Sequence, residues 1–295
     1  MIPSLRAQRH GPLKYFQLRL RKFRTMVHHF LEVVSATDAG RVRQYNEDSV
    51  AIDRNKGVMA LADGMGGHRA GEIASNMATE IILSSLRANV AKFGSRARDL
   101  SPMRAVDQSI NRANKAVYEA AKTQSTYRGM GTTLVVALFH DNRVALGHIG
   151  DSRIYRLRGE VLELLTRDDS LLRDQVELGL ISAADASASH NRSLVTRALG
   201  IDKNASAHVR EEDASPGDLF LLCSDGLNDV VEDTDIELIV RALKTNLPLA
   251  AHHLIQAATD NGGYDNVSVV LAKVLKPFPA TKRSRWMSRL FGWIR

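Results

Sequence analysis

Apolar residues along the chain follow two rhythms. Short runs rich in β-branched residues and bounded by Gly, Asp or Asn predict strands at Phe30–Ser35, Val58–Ala62, Thr133–Phe139, Val144–Ile149, Arg153–Leu157, Asp218–Cys223 and Asn266–Val274. Between the second and third, Ile73, Met77, Ile81, Leu86 and Val90 recur at helical spacing and predict one apolar helix face. Further helices are predicted from about Met103 to Lys122, over Asp235–Leu243 and over Pro248–Thr259, where Pro248 suits the first turn. Asp141–Asn142 and Arg158–Gly159 are tight-turn dipeptides, so the strands they join form antiparallel hairpins. The helices come in blocks and not after every strand, which disfavours a doubly wound parallel sheet. Residues 166–204 hold no strong strand and many Ser, Asp and Asn, and read as a surface flap insertion.

With 295 residues, 44% apolar and 25% charged, the chain can build one large core or two small ones. Its longest apolar runs, Leu219–Cys223 and Leu134–Phe139, fall far short of the ~20 residues of a membrane-spanning helix. The single cysteine, Cys223, excludes an internal disulfide, and an unpaired thiol fits a reducing compartment. The net charge of +7 sits in the tails. Residues 1–31 carry seven basic residues and no acid, residues 276–295 carry six and no acid, and the body between them is therefore −6. A basic nucleic-acid footprint on the folded part is absent from this pattern, so nucleic acid is not an expected partner.

Five acidic clusters lie at the ends of strand-like runs: Asn46-Glu47-Asp48, Asp63-Gly64-Met65-Gly66-Gly67, Gly150-Asp151-Ser152-Arg153, Ser224-Asp225-Gly226 and Asp265-Asn266. Any one of them reads first as a turn. Strand ends gather at one sheet edge, however, so the acids can converge, and converging carboxylates repel by several pK units unless cations sit among them. An all-oxygen donor set without His or Cys favours Mg²⁺ or Mn²⁺ over zinc or copper. Three glycines in Asp63–Gly67 imply close backbone approach, which would let a carbonyl join the carboxylate at an ion.

The ordered set Gly40-x-Arg-x-x-x-Asn46-Glu-Asp, Asp63-Gly-Met-Gly-Gly, Gly129-Met-Gly-Thr-Thr133, Gly150-Asp-Ser-Arg153, Ser224-Asp-Gly226 and Asp265-Asn266 resembles the metal-dependent Ser/Thr protein phosphatases of the type 2C class, compact bacterial members above all. The resemblance covers roughly residues 31–275 as a catalytic domain, between a basic extension (1–30) and a basic tail (276–295). It implies an α+β fold, a four-layer α-β-β-α sandwich of two antiparallel sheets, with a two-metal site at one end. Transferred by position, it makes Asp48, Asp63, Asp225 and Asp265 direct ligands of two Mn²⁺ or Mg²⁺ ions, with Gly64 through its carbonyl and Glu47 through water. Asp151 matches the ligand of a weaker third metal, shared with Asp225 and reached by Asp229 through water; its alternative is a turn carboxylate capping the Ser152 region. Arg43 matches the phosphate-holding arginine, whose planar fork grips a dianion; Arg41 reads as solvated or salt-bridged. In this reading two ions share and ionise a water that attacks phosphorus in line, with no covalent intermediate. The implied partners are phosphoproteins and an opposing Ser/Thr kinase, and the expected state is a monomer.

A Cys-x5-Arg phosphatase loop is excluded because Asp229 stands six residues after Cys223, which leaves Cys223 an inert core thiol. Eukaryotic members of the resembled family carry histidine where Met65 stands, and methionine cannot protonate a leaving group. His68, His148 and His190 are weighed for that role and none is assigned; His148 reads as a satisfied core histidine. Thr132 and Thr133 read as structural, and Arg192 and Arg197 in the flap as solvated charges.

In residues 285–295, Trp286, Met287, Leu290, Phe291, Trp293 and Ile294 share one helical arc and the arginines the other. Such a basic amphipathic segment suits an anionic membrane surface or an acidic partner, against the alternative of folding back on the body. The expected location is the cytoplasm, with peripheral attachment at the inner membrane face. In the first tail Leu13, Phe16, Leu20, Phe23 and Val27 form a helical stripe without a secretory h-region; a transit peptide and translation from Met26 both stay open. Two rival functions remain: a catalytically silent phosphoprotein-binding or kinase-scaffolding member, disfavoured by the intact acids with Arg43, and a metal nuclease, disfavoured by the acidic body.

Overall fold

The computed structural model describes residues 26–27, 30–67, 69–90, 101–182, 185 and 194–278. Two antiparallel sheets face each other. In the first, the order is β1 (Met26–Val27), β2 (Leu31–Asp38), β12 (Val267–Val274), β11 (Leu219–Cys223), β8 (Arg153–Arg158) and β9 (Val161–Leu164). In the second it is β10 (His208–Asp213), β7 (Arg143–Ile149), β6 (Leu134–His140), β4 (Val58–Met65) and β3 (Asp48–Asp53), with β5 (Gly131–Thr132) added to the end of β4. Helices α1 (Ala70–Val90) and α2 (Pro102–Thr123) cover the second sheet. Helices α5 (Asp233–Ala242) and α6 (Leu247–Asp260) cover the first, while α3 (Leu171–Glu177) and the one-turn α4 (Asp225–Asn228) lie in connections. This is the expected four-layer α-β-β-α sandwich.

Double-sided burial explains why several strands read as unbroken apolar runs. In β11, Leu219, Leu221 and Cys223 face the layer under α5 and α6, while Phe220 and Leu222 face the other sheet. In β6, Leu134, Val136 and Leu138 face α1 and α2, while Val135, Ala137 and Phe139 face inward. Cys223 is fully buried, and burial pushes its thiol up to about 12, so it is inert as expected. The two hairpins form at the predicted dipeptides: Asp141 and Asn142 both take positive φ, as does Gly159. Asn246 caps α6 by accepting from the Leu249 amide at 3.3 Å, with Pro248 in the first turn.

Four expectations need correction. The face that α1 buries is Ala70, Gly71, Ala74, Ser75, Ala78, Thr79, Ile82, Ser85 and Leu86. Of the predicted stripe only Leu86 belongs to it; Ile73, Met77, Ile81 and Val90 are half-buried at its flanks. Small residues let the helix backbone approach the sheet closely. The predicted runs leave out β3, the charged edge strand β10 and the short strands β1, β5 and β9. Val27, placed on a helical stripe, pairs instead with Glu32 at the sheet edge. The folded unit also reaches past residue 275: Phe278 stacks between Phe30 (5.7 Å) and Phe139 (5.9 Å), and its amide donates to Asn142 Oδ1 at 2.7 Å.

Candidate metal centre

Strand register brings the acids together. Asp48 opens β3, Asp63 lies near the end of β4, and the two are direct cross-strand partners. At the same pole of the other sheet, Asp225 follows β11 by two residues, Asp265 precedes β12 by two, and Asp151 sits in the turn between β7 and β8. A cleft of about 640 Å³ opens there, and Arg43, Glu47, Asp63, Gly64, Met65, Asp151, Asp225 and Asp265 are among the residues lining it.

Glycines let the backbones close around this floor. A Cβ on Gly64 would stand 2.1 Å from the Gly71 carbonyl oxygen, and one on Gly71 would stand 2.6 Å from both the Gly64 carbonyl oxygen and Glu47 Oε2. The start of α1 thus presses directly on the Gly64 carbonyl and the Glu47 carboxylate. Gly71→Ala is expected to displace both and to weaken Mn²⁺ affinity by about 10–100-fold, as changes just outside a metal's ligands do; a Mn²⁺ activation titration checks it.

Uncharged side chains then fix three of the acids, Glu47, Asp48 and Asp63. Asn266 accepts from the Glu47 amide at 2.8 Å and donates to the carbonyls of Ala39 (3.1 Å) and Tyr45 (2.9 Å), clamping the loop that carries Arg43. Asn46 accepts from the Asp48 amide at 3.0 Å and donates to Thr37 Oγ1 at 2.7 Å. Ser224 donates to Asp48 Oδ2 at 2.9 Å. Thr132 donates to the Asp63 carbonyl at 2.7 Å, and Thr133 Oγ1 accepts from the Asp63 amide at 3.1 Å. The two threonines are structural, as read from the sequence, but what they hold is the Asp63 backbone. The supporting roles of Asn46, Asn266 and Ser224 were missed, although all three stand inside the acidic motifs.

Burial dominates the electrostatics. It pushes Asp48 and Asp225 up to about 6, and together with the charges of Asp48 and Asp225 it raises Asp63 well above the usual carboxylate range. Asp151, 5% exposed, is also raised by burial and then by Asp225. Asp48 Oδ1, Asp151 Oδ1 and Asp225 Oδ1 are buried with no hydrogen-bond partner among the described residues. Buried carboxylate oxygens that lack donors and crowd one another suit hard divalent cations, so the donor set fits Mn²⁺ or Mg²⁺. Among the described residues, no three His, Cys, Asp or Glu side chains cage a single point by themselves. That agrees with an open cleft in which water completes the shell around such ions.

The remaining candidates fall as follows. Arg43 lines the cleft and pairs with Asp265 at 2.7 Å, a hydrogen bond that raises the arginine's pKa further. Arg41 pairs with Asp260 at 2.9 Å on the surface, as expected. Asp151 has an unpartnered oxygen facing the Asp225 charge, which favours the ion-ligand reading over the turn-capping one. Asp229 acts on Asp151 electrostatically and does not line the cleft. His68, His190 and Arg192 lie outside the described residues. His148 is buried but not satisfied: its Nε2 has no hydrogen-bond partner among the described residues, its ring stacks on His208 at 5.1 Å, and it lines a separate cleft. Among the described residues, no histidine lines the acidic cleft. Arg197 is not merely solvated; it meets His208 at 3.1 Å and the buried Asp169 at 3.5 Å.

Residues 37–257 match the family described as protein phosphatase 2C. The chain is 35% identical over 240 residues to the serine/threonine phosphatase stp of Listeria monocytogenes, covering 80% of this chain and 93% of that protein. It is 40% identical over 247 residues to the serine/threonine protein phosphatase PstP of Mycobacterium tuberculosis, covering 83% of this chain and 45% of that one. Among solved structures, the M. tuberculosis phosphatase PstP/Ppp superposes with a TM-score of 0.76 at 36% identity, covering 83% of this chain and 99% of that one. The PstP catalytic domain in complex with two manganese ions gives 0.74 at 35% identity, with 84% and 99% covered. Sequence, fold and the ordered acidic motifs agree: the chain belongs to the protein phosphatase 2C family.

Proposed function

We propose that this chain hydrolyses phosphoserine and phosphothreonine in proteins and so opposes a Ser/Thr kinase, as a cytoplasmic monomer whose catalytic unit extends to Phe278. The observation that carries the reading is the meeting of Asp48, Asp63, Asp151, Asp225 and Asp265 at one pole, with three buried oxygens unpartnered. In this reading Asp48, Asp63, Asp225, Asp265 and the Gly64 carbonyl hold two Mn²⁺ or Mg²⁺ ions, with Glu47 acting through water. Asp151, with Asp229 through water, serves a third, weaker ion. Such ions lower the pKa of water and neutralise phosphate charge. Arg43, anchored by Asp265, offers its remaining N–H groups to the phosphate oxygens and steadies the charge that builds in the transition state. Met65 cannot donate a proton and no histidine lines the cleft among the described residues, so no side chain is assigned as the general acid.

The test is hydrolysis of p-nitrophenyl phosphate and of a phosphothreonine peptide with and without Mn²⁺. Turnover that requires the ion is expected. Binding of the phosphopeptide without turnover would instead favour a silent scaffolding member.

Residues 279–295 lie outside the described residues, and their basic amphipathic pattern supports peripheral attachment to an anionic membrane. Full-length protein is expected to float with anionic liposomes and a 1–278 truncation, which keeps Phe278 in its stack, to stay behind; equal behaviour refutes this.

A further inference from the structure

Beside Glu47, the rim of the cleft carries a second arginine that hydrolysis itself leaves unused. Arg69 lines the cleft and its side chain is 58% exposed. Its backbone takes φ +67°, the left-handed region, where a residue with a Cβ is strained. Glycine would remove that strain, and the loop just before it already uses glycine at 64, 66 and 67.

The head group is ordered before any ligand arrives. Its guanidinium carbon lies 4.9 Å from the centroid of the Tyr45 ring, itself 53% exposed at the cleft mouth. Nε and Nη2 both reach the same oxygen, Glu72 Oε2, at 2.9 and 2.7 Å. Ring and carboxylate hold one edge of the fork, and Nη1 has no hydrogen-bond partner among the described residues. The neighbouring rim residues Gln44, Tyr45, Leu194 and Val195 carry no charge, so among the described lining residues Arg69 is the cation beyond the acidic floor and Arg43. A planar cation fixed this way matches a carboxylate or a phosphate and loses little rotamer freedom on binding one.

We propose that Arg69, stacked on Tyr45, binds a second anionic group of the substrate. That group is a carboxylate or another phosphate close to the residue being dephosphorylated, so the enzyme selects acidic phosphopeptides. The inference rests on the phosphopeptide hydrolysis proposed above.

Three phosphothreonine peptides, alike except that the flanking residues are Asn and Gln, Asp and Glu, or a second phosphothreonine, test it with the full chain and Mn²⁺. Against the neutral peptide, KM for the acidic one is expected to fall by about fivefold, the reach of one exposed charge pair. The advantage should shrink in 0.5 M salt, where screening shortens to a few ångströms. A gain confined to the doubly phosphorylated peptide supports the proposal with phosphate as the second group. In Arg69→Gln and Arg69→Gly the KM values should converge, with the change in KM and not in kcat, while Arg69→Lys keeps part of the preference. Arg69→Gly should melt no lower than the parent, because the left-handed strain is relieved, so its lost preference is not unfolding. Equal KM values in the parent, or a preference that survives Arg69→Gln, overturn this inference alone. No hydrolysis of any of the three overturns the phosphatase reading with it.

Discussion

Asp225→Asn is expected to lower Mn²⁺-dependent kcat/KM on a phosphothreonine peptide by about 10²–10³-fold, the scale of removing one preorganised electrostatic group. Asp225 is the acid most entangled with the others: its charge acts on Asp63 and on Asp151, and its own Oδ1 is buried without a partner. The amide keeps the side chain's size and removes its negative charge, so the fold should survive; circular dichroism and a melting curve verify that. Glu47→Gln provides the comparison. Glu47 is raised chiefly by burial and is assigned to act through water, so a smaller loss is expected there. If Asp225→Asn kept activity within tenfold of the parent, the assignment of Asp225 as an ion ligand would fail.

The second large effect is on stability. Acids crowded at one pole repel one another, and two of them, Asp48 and Asp225, are pushed from 3.8 to about 6 mainly by burial. Between about pH 4 and pH 6 the folded chain therefore keeps protons that the unfolded chain has released. In chelator-treated protein, stability should fall as pH rises through that window and stay low above it. Mn²⁺ at 100 times its dissociation constant should restore about 2.7 kcal/mol. For a domain this size that is roughly 5–10 °C in Tm, measured at pH 7.5 by differential scanning calorimetry. The rise should be smaller at pH 5, where protons compete for the same oxygens. A melting temperature indifferent to both pH and Mn²⁺ would show that these acids do not share a site.

Much of this site is legible in the sequence because its parts are short, charged and tied to strand ends. Asp63-Gly64 after an apolar run announces a carboxylate at a sheet edge, and the register of β3 against β4 then pairs it with Asp48. The misses share a physical cause. The helix α1 buries Ala, Ser, Thr and Gly, which carry too little hydrophobicity to show a period, yet their small size is what lets Gly71 touch Gly64. The strand β10, His208–Asp213, is a charged edge strand whose partner β7 supplies the apolar half of the pairing, so its own composition reads as loop. Asn46 and Asn266 look like turn residues, and only the folded chain shows that the Asn266 amide reaches Glu47 and Tyr45, 219 and 221 positions away, while Asn46 ties the Asp48 amide to Thr37. Val27 went to the wrong element because two residues are too few for any periodic pattern to outweigh the stripe before them.

The aromatic stack of Phe30, Phe139 and Phe278 closes the sandwich where Leu31 pairs with Val274, while Asp38 pairs with Val267 at the catalytic pole. Those poles lie roughly 24 Å apart along β2, seven steps at about 3.4 Å. Phe278, the last described residue, thus lies at the base of the molecule, and a surface holding the chain there would leave the mouth pointing outward, free to receive bulky clients.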